Sequence, residues 1–342
     1  MTFAKIGILR ALQLGDMLCA VPAIRAIRHA FPTASISLIG LPWQKDFVER
    51  FHHYFDEFVE FPGWPGLPER VPDVEKLPGF LRLMQSSGYD LIVQMQGNGA
   101  ITNSLCMVFG AAKVCGLRMP GDYCPDEKLF PISEDSDHEV LRFLKLTQAL
   151  QIAPKGEELE FPFLSGELES VEDLIRQWSL GGKKYICVHP GARDPKRRWP
   201  AEKFANIADR LFDEGYGIVL TGSAAEKEIL ANVSQMMKYE AVNAVNQSSE
   251  FSLGQLAGVI MKSVALISND TGVSHIASAL QVPSVIIFSR YSDPQRWRPL
   301  NSKLHTIITP IQSENVEEVF HALLDVIRQS TFSGTHHHQA YR

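Results

Sequence analysis

Short apolar runs alternate with amphipathic stretches along this chain, and the alternation begins twice. Residues 5–10 (KIGILR) read as a buried strand. Residues 16–30 read as a helix with Leu18, Val21, Ile24 and Ile27 recurring on one face. Residues 35–39 alternate as a second strand bounded by Gly40 and Pro42, and residues 90–94 (DLIVQ) form another after a Gly88 turn. The pattern restarts near 184. There, 184–189 (KYICVH), 217–221 (GIVLT), 264–268 (VALIS) and 282–288 read as strands, the last of them as the final strand. Helices are expected at 201–214, 225–237 and near 272–280. Strand–helix repetition selects parallel sheets covered by helices on both faces. The expected architecture is therefore α/β, with two doubly wound parallel-sheet domains facing a cleft. The domains are placed at 1–165 and 166–330, with a polar join near 153–183. A last helix, at about 315–329, could cross back onto the first domain. Residues 331–342, including His336, His337 and His338, are expected to be a disordered tail.

The length of 342 residues fits two domains. Hydrophobic residues at 45% suffice to fill two cores. A net charge of -6 argues against a general nucleic-acid binder, which needs clustered basic surface. Five cysteines, Cys19, Cys106, Cys115, Cys124 and Cys187, show no CxxC spacing. Their odd number and spacing argue against a disulfide framework or a zinc knuckle and fit reduced cytoplasmic thiols. The N-terminus lacks the apolar region and cleavage site of a signal peptide, and no window approaches 18 uninterrupted apolar residues. Two stretches rich in proline or glycine, 61–79 and 117–137, read as long surface loops of the kind that carry function.

Four groups of residues sit at the carboxyl ends of expected strands, where open α/β sheets bind ligands. In the first, Arg10 ends a strand and Gly15-Asp16 opens the next helix. Gly15 permits close backbone approach. Asp16 is placed either to accept a proton from an attacking hydroxyl or simply to cap the helix. The loop lacks G-x-G-x-x-G, so a nicotinamide dehydrogenase is disfavoured. In the second, 189–200 (HPGARDPKRRWP), Gly191 precedes Arg193, Lys196, Arg197 and Arg198. These form either an anion site or a solvated basic loop, with Trp199 as a packing residue and Pro200 suited to a helix start. In the third, 221–226 (TGSAAE), Ser223 and Glu226 open a helix. Glu226 can take sugar hydroxyls or serve only the helix dipole. In the fourth, 268–275 (SNDTGVSH), Thr271 and Gly272 offer helix-start N–H groups to phosphate. Asp270 orders the loop or holds a hydroxyl. His275 shares a face with Thr271, although a lone histidine is also an ordinary core residue.

Taken together, LGDMLCAVPAIRAIR, HPGARDPKRRWP, TGSAAEKE and NDTGVSHIASAL resemble glycosyltransferase family nine, the ADP-heptose:lipopolysaccharide heptosyltransferases, over about residues 5–330. The resemblance implies the GT-B fold, two Rossmann-like domains with the active site between them. It implies an inverting transfer with no metal and no other cofactor. Asp16 matches the acidic residue proposed as general base. Arg197, with Lys196, would bind the diphosphate. Glu226 would lie near the nucleoside, and Asp270, Thr271, Gly272 and His275 match the donor phosphate turn. The implied partners are a nucleotide-diphosphate sugar donor and a glycan or lipid-linked glycan acceptor, not nucleic acid. A lipid-linked acceptor would add peripheral contact with the cytoplasmic face of the inner membrane, for which Trp43, Trp64 and Phe61 are candidates. Arg10 and Gln13 replace the small polar residues often found before the Gly-Asp pair, so the acceptor side departs from the family pattern.

Two other readings use the same features. One is a nucleotide-sugar epimerase or hydrolase of the same fold, recognised by donor conversion without acceptor. The other is a non-catalytic nucleotide-sugar binder, against which the presence of Asp16 argues.

Overall fold

Residues 2–247 and 251–332 are described by the computed structural model of the chain. It divides into two units, Met1–Glu157 and Glu158–Arg342.

The first unit holds five strands: β1 (Lys5–Leu9), β2 (Ser35–Gly40), β3 (Glu57–Glu60), β4 (Leu91–Gln94) and β5 (Lys113–Gly116). They run in the order β3-β2-β1-β4-β5, every pair parallel. Ile6 sits between Ile36 and Leu91 in register, and all three are fully buried. Burial on both faces is what a parallel sheet demands of its strands. Helix Leu14–Ala30 follows β1 and buries Met17, Leu18, Val21, Ile24 and Ile27. It packs against helix Glu139–Ala149. Because β1 feeds outward to β2 on one side and pairs with β4 on the other, the chain direction reverses between β1 and β4. A crevice opens past the carboxyl ends at such a reversal. The loops after β1 and β4 line it.

The second unit repeats this plan with six strands: β6 (Tyr185–His189), β7 (Gly217–Leu220), β8 (Val242–Asn243), β9 (Ala265–Asn269), β10 (Ser284–Ile287) and β11 (His305–Ile308). Their order is β8-β7-β6-β9-β10-β11, again all parallel. The reversal lies between β6 and β9. Ile186, Val188, Ile267 and Val285 form a core with Phe204, Ile207 and Leu211 of helix Ala201–Asp213 and Val319, Leu323 and Val326 of helix Val316–Phe332.

Both sheets are doubly wound and parallel, as the α/β alternation implied. Several details differ from the sequence reading. Residues 282–288 do not form the final strand: β11 (HTII) follows, with only two apolar residues to mark it. The join at 153–183 contains helix Glu167–Gln177, whose Val171 packs against Gly258 of helix Leu253–Lys262. The last helix spends its apolar face on β10 and β11 of its own unit, where Val319 and Leu323 are fully buried, which replaces the expectation that it crosses back. Residues 331 and 332, expected to begin the tail, end this helix instead, while residues 333–342, with the three histidines, lie outside the described residues.

Candidate active site residues

In the first unit, helix Leu14–Ala30 opens after Gln13, which makes Asp16 the third helical residue and not its cap. The Asp16 carboxylate instead reaches back to accept from the Gln13 N–H at 3.3 Å, half of a capping box. Its side chain keeps 23% of its surface accessible, while Gly15 beside it is buried. Arg10 holds this turn from below. Its side chain is completely buried and lies over the Phe143 ring at 4.3 Å. Nε and Nη2 donate to the Asp16 carbonyl at 2.9 and 2.6 Å, and Nη1 donates to the Met95 carbonyl. Nη2 also reaches Glu139 Oε1 at 3.2 Å and lies 4.0 Å from Asp16 Oδ1. Glu139 is shared with Arg142 Nη1 at 3.2 Å, and Arg142 Nη2 donates to the Gly97 carbonyl at 2.9 Å. Two guanidinium groups therefore tie the loop after β1 to the loop after β4, with Glu139 balancing their charge. A buried cation left without such a partner would be costly.

Two further residues face the same turn. Gln96, after β4, is 1% exposed, and its Oε1 accepts from the Ala11 N–H at 2.7 Å. Glu69, from the 61–79 loop, has its carboxyl pushed above the usual range, first by burial and further by the negative charge of Asp16.

In the second unit, the basic segment and the β9 turn meet. Arg197 Nη2 donates to both the carboxylate and the carbonyl of Asp270, and Arg197 Nε donates to Ser292 Oγ at 3.2 Å. Asp270 is 2% exposed while Arg197 retains about a third of its surface. The acid thus fixes a cation at the site's edge. Lys196 is exposed, its ammonium 5.6 Å from the Tyr291 ring centre. Asn269 stitches the two loops together, accepting from the Trp199 N–H and donating to the Pro190 carbonyl, both at 2.8 Å. Trp199 is a packing residue: it is 5% exposed, donates to the Ser313 carbonyl and meets Phe204 edge to face.

Thr271 precedes helix Gly272–Ala279 in extended backbone, and among the described residues no side chain caps that start. Of the first-turn N–H groups, that of Ser274 donates to the Thr271 carbonyl at 3.0 Å, and those before it lie at the positive end of the helix. His275, one turn in, is buried with its ring edge toward Trp297 at 6.1 Å.

Glu226 closes a capping box on Ser223, taking both the N–H and the hydroxyl at 2.8 Å. It also lies over Gly191: a Cβ there would come within 2.1 Å of Glu226 Oε1. His189, at the end of β6, contacts Thr221 Oγ1 at 3.1 Å and has Nε2 4.0 Å from Glu226 Oε2. Burial holds its imidazole below the ordinary range, against the pull of Glu226. The structure thus joins Gly191, Ser223 and Glu226 in one cluster and Arg197 with Asp270 in another. Thr271 and Gly272 follow directly. Asp16 and Gly15 belong to the first unit.

Gln96, Glu69, Glu139, Arg142, His189 and Ser292 were not among the residues singled out from the sequence. Gln96 was findable, since it follows the strand that pairs with β1 at the reversal. Phe61, named for a membrane role, is 2% exposed and packs on Phe80, so it is not available for one. Among the described residues no three His, Cys, Asp or Glu side chains gather as a metal site, all five cysteines are free, and no helix is long and apolar enough to cross a membrane.

Comparison with known proteins agrees with this layout. Residues 80–321 match the model of Glycosyltransferase family 9 (heptosyltransferase). The chain is 25% identical over 318 residues to lipooligosaccharide heptosyltransferase 2 of Haemophilus influenzae, covering 89% of this chain and 88% of that one. It is 26% identical over 346 residues to lipopolysaccharide heptosyltransferase 2 of Escherichia coli strain K12, covering 95% of each. The solved structure of E. coli ADP-heptose lps heptosyltransferase II shares its fold with a TM-score of 0.75 at 21% identity, over 96% of this chain and 99% of that one. With the family model spanning well over half of its length, the chain belongs to glycosyltransferase family 9, the heptosyltransferase family, and is a glycosyltransferase.

Proposed function

We propose that the chain transfers a heptose from ADP-heptose to a hydroxyl of a lipopolysaccharide core, with inversion and without a metal. The names of its relatives support this donor and acceptor. The observation that carries the residue roles is the contrast between the two strand-end turns. In the first unit a partly accessible carboxylate is held by a buried cation. In the second, an uncapped helix start follows an Asp270-fixed guanidinium.

Asp16 accepts the proton of the acceptor hydroxyl as its oxygen attacks the anomeric carbon. A positioned base is worth about 10²–10⁴-fold in rate. As the glycosidic C–O bond breaks, the electron pair leaves with the diphosphate. Arg197, Lys196 and the N–H groups of the helix start at Gly272 receive that charge, as preorganised donors do for a developing anion. Glu226 takes hydroxyls of the nucleoside, and His275 supports the turn from within. The positive charge of the 193–198 loop supplies the neutralisation that other transferases draw from a cation. A lipid-linked acceptor brings the chain to the inner face of the membrane; Val71 and Val74, 87% and 68% exposed on the 61–79 loop, are the side chains to meet it.

The test is mass spectrometry of wild-type protein mixed with ADP-heptose and a lipopolysaccharide-core acceptor. The expected result is one heptose added per acceptor, ADP released only when acceptor is present, and full activity in EDTA. Donor isomerised or hydrolysed without acceptor would replace this reading with the epimerase or hydrolase one.

A further inference from the structure

Three residues of the second unit's cationic site are touched by one loop, residues 289–298 after β10. Tyr291 has its ring centre 5.6 Å from the Lys196 ammonium, within cation–π range. Ser292 Oγ accepts from Arg197 Nε at 3.2 Å. Trp297 meets the His275 ring edge to face at 6.1 Å. The loop is itself pinned. The Ser292 N–H donates to the Ser289 carbonyl, and the Tyr291 N–H donates to the Ser289 hydroxyl, both at 3.1 Å. The Asp293 carboxylate accepts from the Gln295 N–H at 2.8 Å, where the short helix Pro294–Trp297 begins. Ser292 is thus a fixed point beside Arg197, delivered by a strand end other than the one that carries Asp270.

The charge of Asp270 is met by Nη2 of Arg197 alone. A guanidinium held at one nitrogen keeps freedom to tilt about it. The contact at Nε removes that freedom. Ser292 carries no charge, so neutralising Asp270 does not require it; what it fixes is the orientation of the cation. Arginine recognises phosphate through a planar fork, so its value to a phosphate depends on that orientation. Resting on the proposed transferase reading, we infer that Ser292 is a positioning residue for Arg197. It sets the plane in which the guanidinium meets the leaving diphosphate. With Nε and Nη2 engaged inside the protein, Nη1 is the nitrogen that serves the ligand. A donor aligned beforehand needs no reorganisation as negative charge develops on the departing group.

The experiment is a double-mutant cycle on Ser292→Ala and Arg197→Ala, with Ser292→Thr as the conservative variant. ADP affinity is read by calorimetry. Heptose transfer is read by single turnover from ADP-heptose to a deacylated lipopolysaccharide-core acceptor. Ser292→Ala should weaken ADP binding and slow transfer about three- to tenfold, the factor for one hydrogen bond to a partly solvated cation. Its thermal midpoint should stay close to wild type. Ser292→Thr keeps the oxygen and should restore most of both quantities. Added to Arg197→Ala, Ser292→Ala should cause no further loss, because it acts through the guanidinium. Wild-type affinity and rate in Ser292→Ala, or an undiminished loss in the Arg197→Ala background, would overturn the positioning role while leaving the transferase reading intact. So would a loss that tracks a fall in thermal midpoint and is not rescued by threonine. Absence of transfer by the wild-type protein would overturn both.

Discussion

Arg10 grips the backbone carbonyl of Asp16 with two N–H donors, at 2.9 and 2.6 Å, from a position with no solvent access. The turn that carries the carboxylate is thereby fixed through its main chain. Replacing Arg10 by Met removes the grip and takes one buried cation away from Glu139. Breaking a buried pair costs about 3–5 kcal/mol, so thermal denaturation should show a large drop in midpoint, and turnover should fall further than stability alone explains. Arg10→Lys should rescue little, since an ammonium cannot copy the planar fork.

The Gly191–Glu226 contact leads to a prediction about space rather than backbone freedom. A methyl group at Gly191 would meet Glu226 Oε1 at 2.1 Å, so Gly191→Ala must push the carboxylate aside. If Glu226 takes nucleoside hydroxyls, ADP should bind about tenfold more weakly by calorimetry, the loss of one charge-assisted hydrogen bond. Adding Gly191→Ala to Glu226→Ala should weaken binding no further, because the displaced group is already gone.

Arg197 and Asp270 separate stability from binding. Arg197→Ala leaves a 2%-exposed carboxylate without its cation, which should lower stability by about 1–3 kcal/mol, given that the arginine is partly solvated. Adding Asp270→Ala should recover part of that stability in chemical denaturation. ADP affinity should remain low in both variants, because the missing cation is not restored.

Burial holds the Glu69 carboxyl above the ordinary carboxylate range in the folded protein. Its charged form is therefore penalised in the native protein, a penalty absent well below pH 4.5 that grows as pH rises through the folded value. Glu69→Gln, which cannot ionise, should raise the thermal midpoint at pH 7 and should do so less at pH 4. An equal shift at both pH values would mean that charge is not the source.

Much of this was legible in the sequence because parallel strands buried on both faces are short apolar runs with few competing interpretations. The β1, β6 and β9 runs, and the turns after them, could be placed within a residue or two. Strands β3, β5 and β8 were missed for a physical reason: β3 (EFVE) is largely exposed, β5 (KVCG) has only Val114 and Cys115 between a lysine and a glycine, and β8 has two residues, so none carries an apolar run. The first-turn position of Asp16 was readable, but its role as third residue of a capping box was not. That depends on where helix Leu14–Ala30 begins, one turn earlier than its apolar face. Gln96 and Glu69 were invisible for another reason. Their significance lies in a contact made by the strand order and by a proline-rich loop, and no local spacing records that.

The central claim is that Asp16 removes the acceptor's proton. Single-turnover heptose transfer from ADP-heptose, measured for wild type and Asp16→Asn under identical conditions, addresses it most directly. The predicted result is a rate lower by about 10²–10⁴-fold with ADP affinity and thermal midpoint close to wild type. Transfer by Asp16→Asn at the wild-type rate would contradict the account.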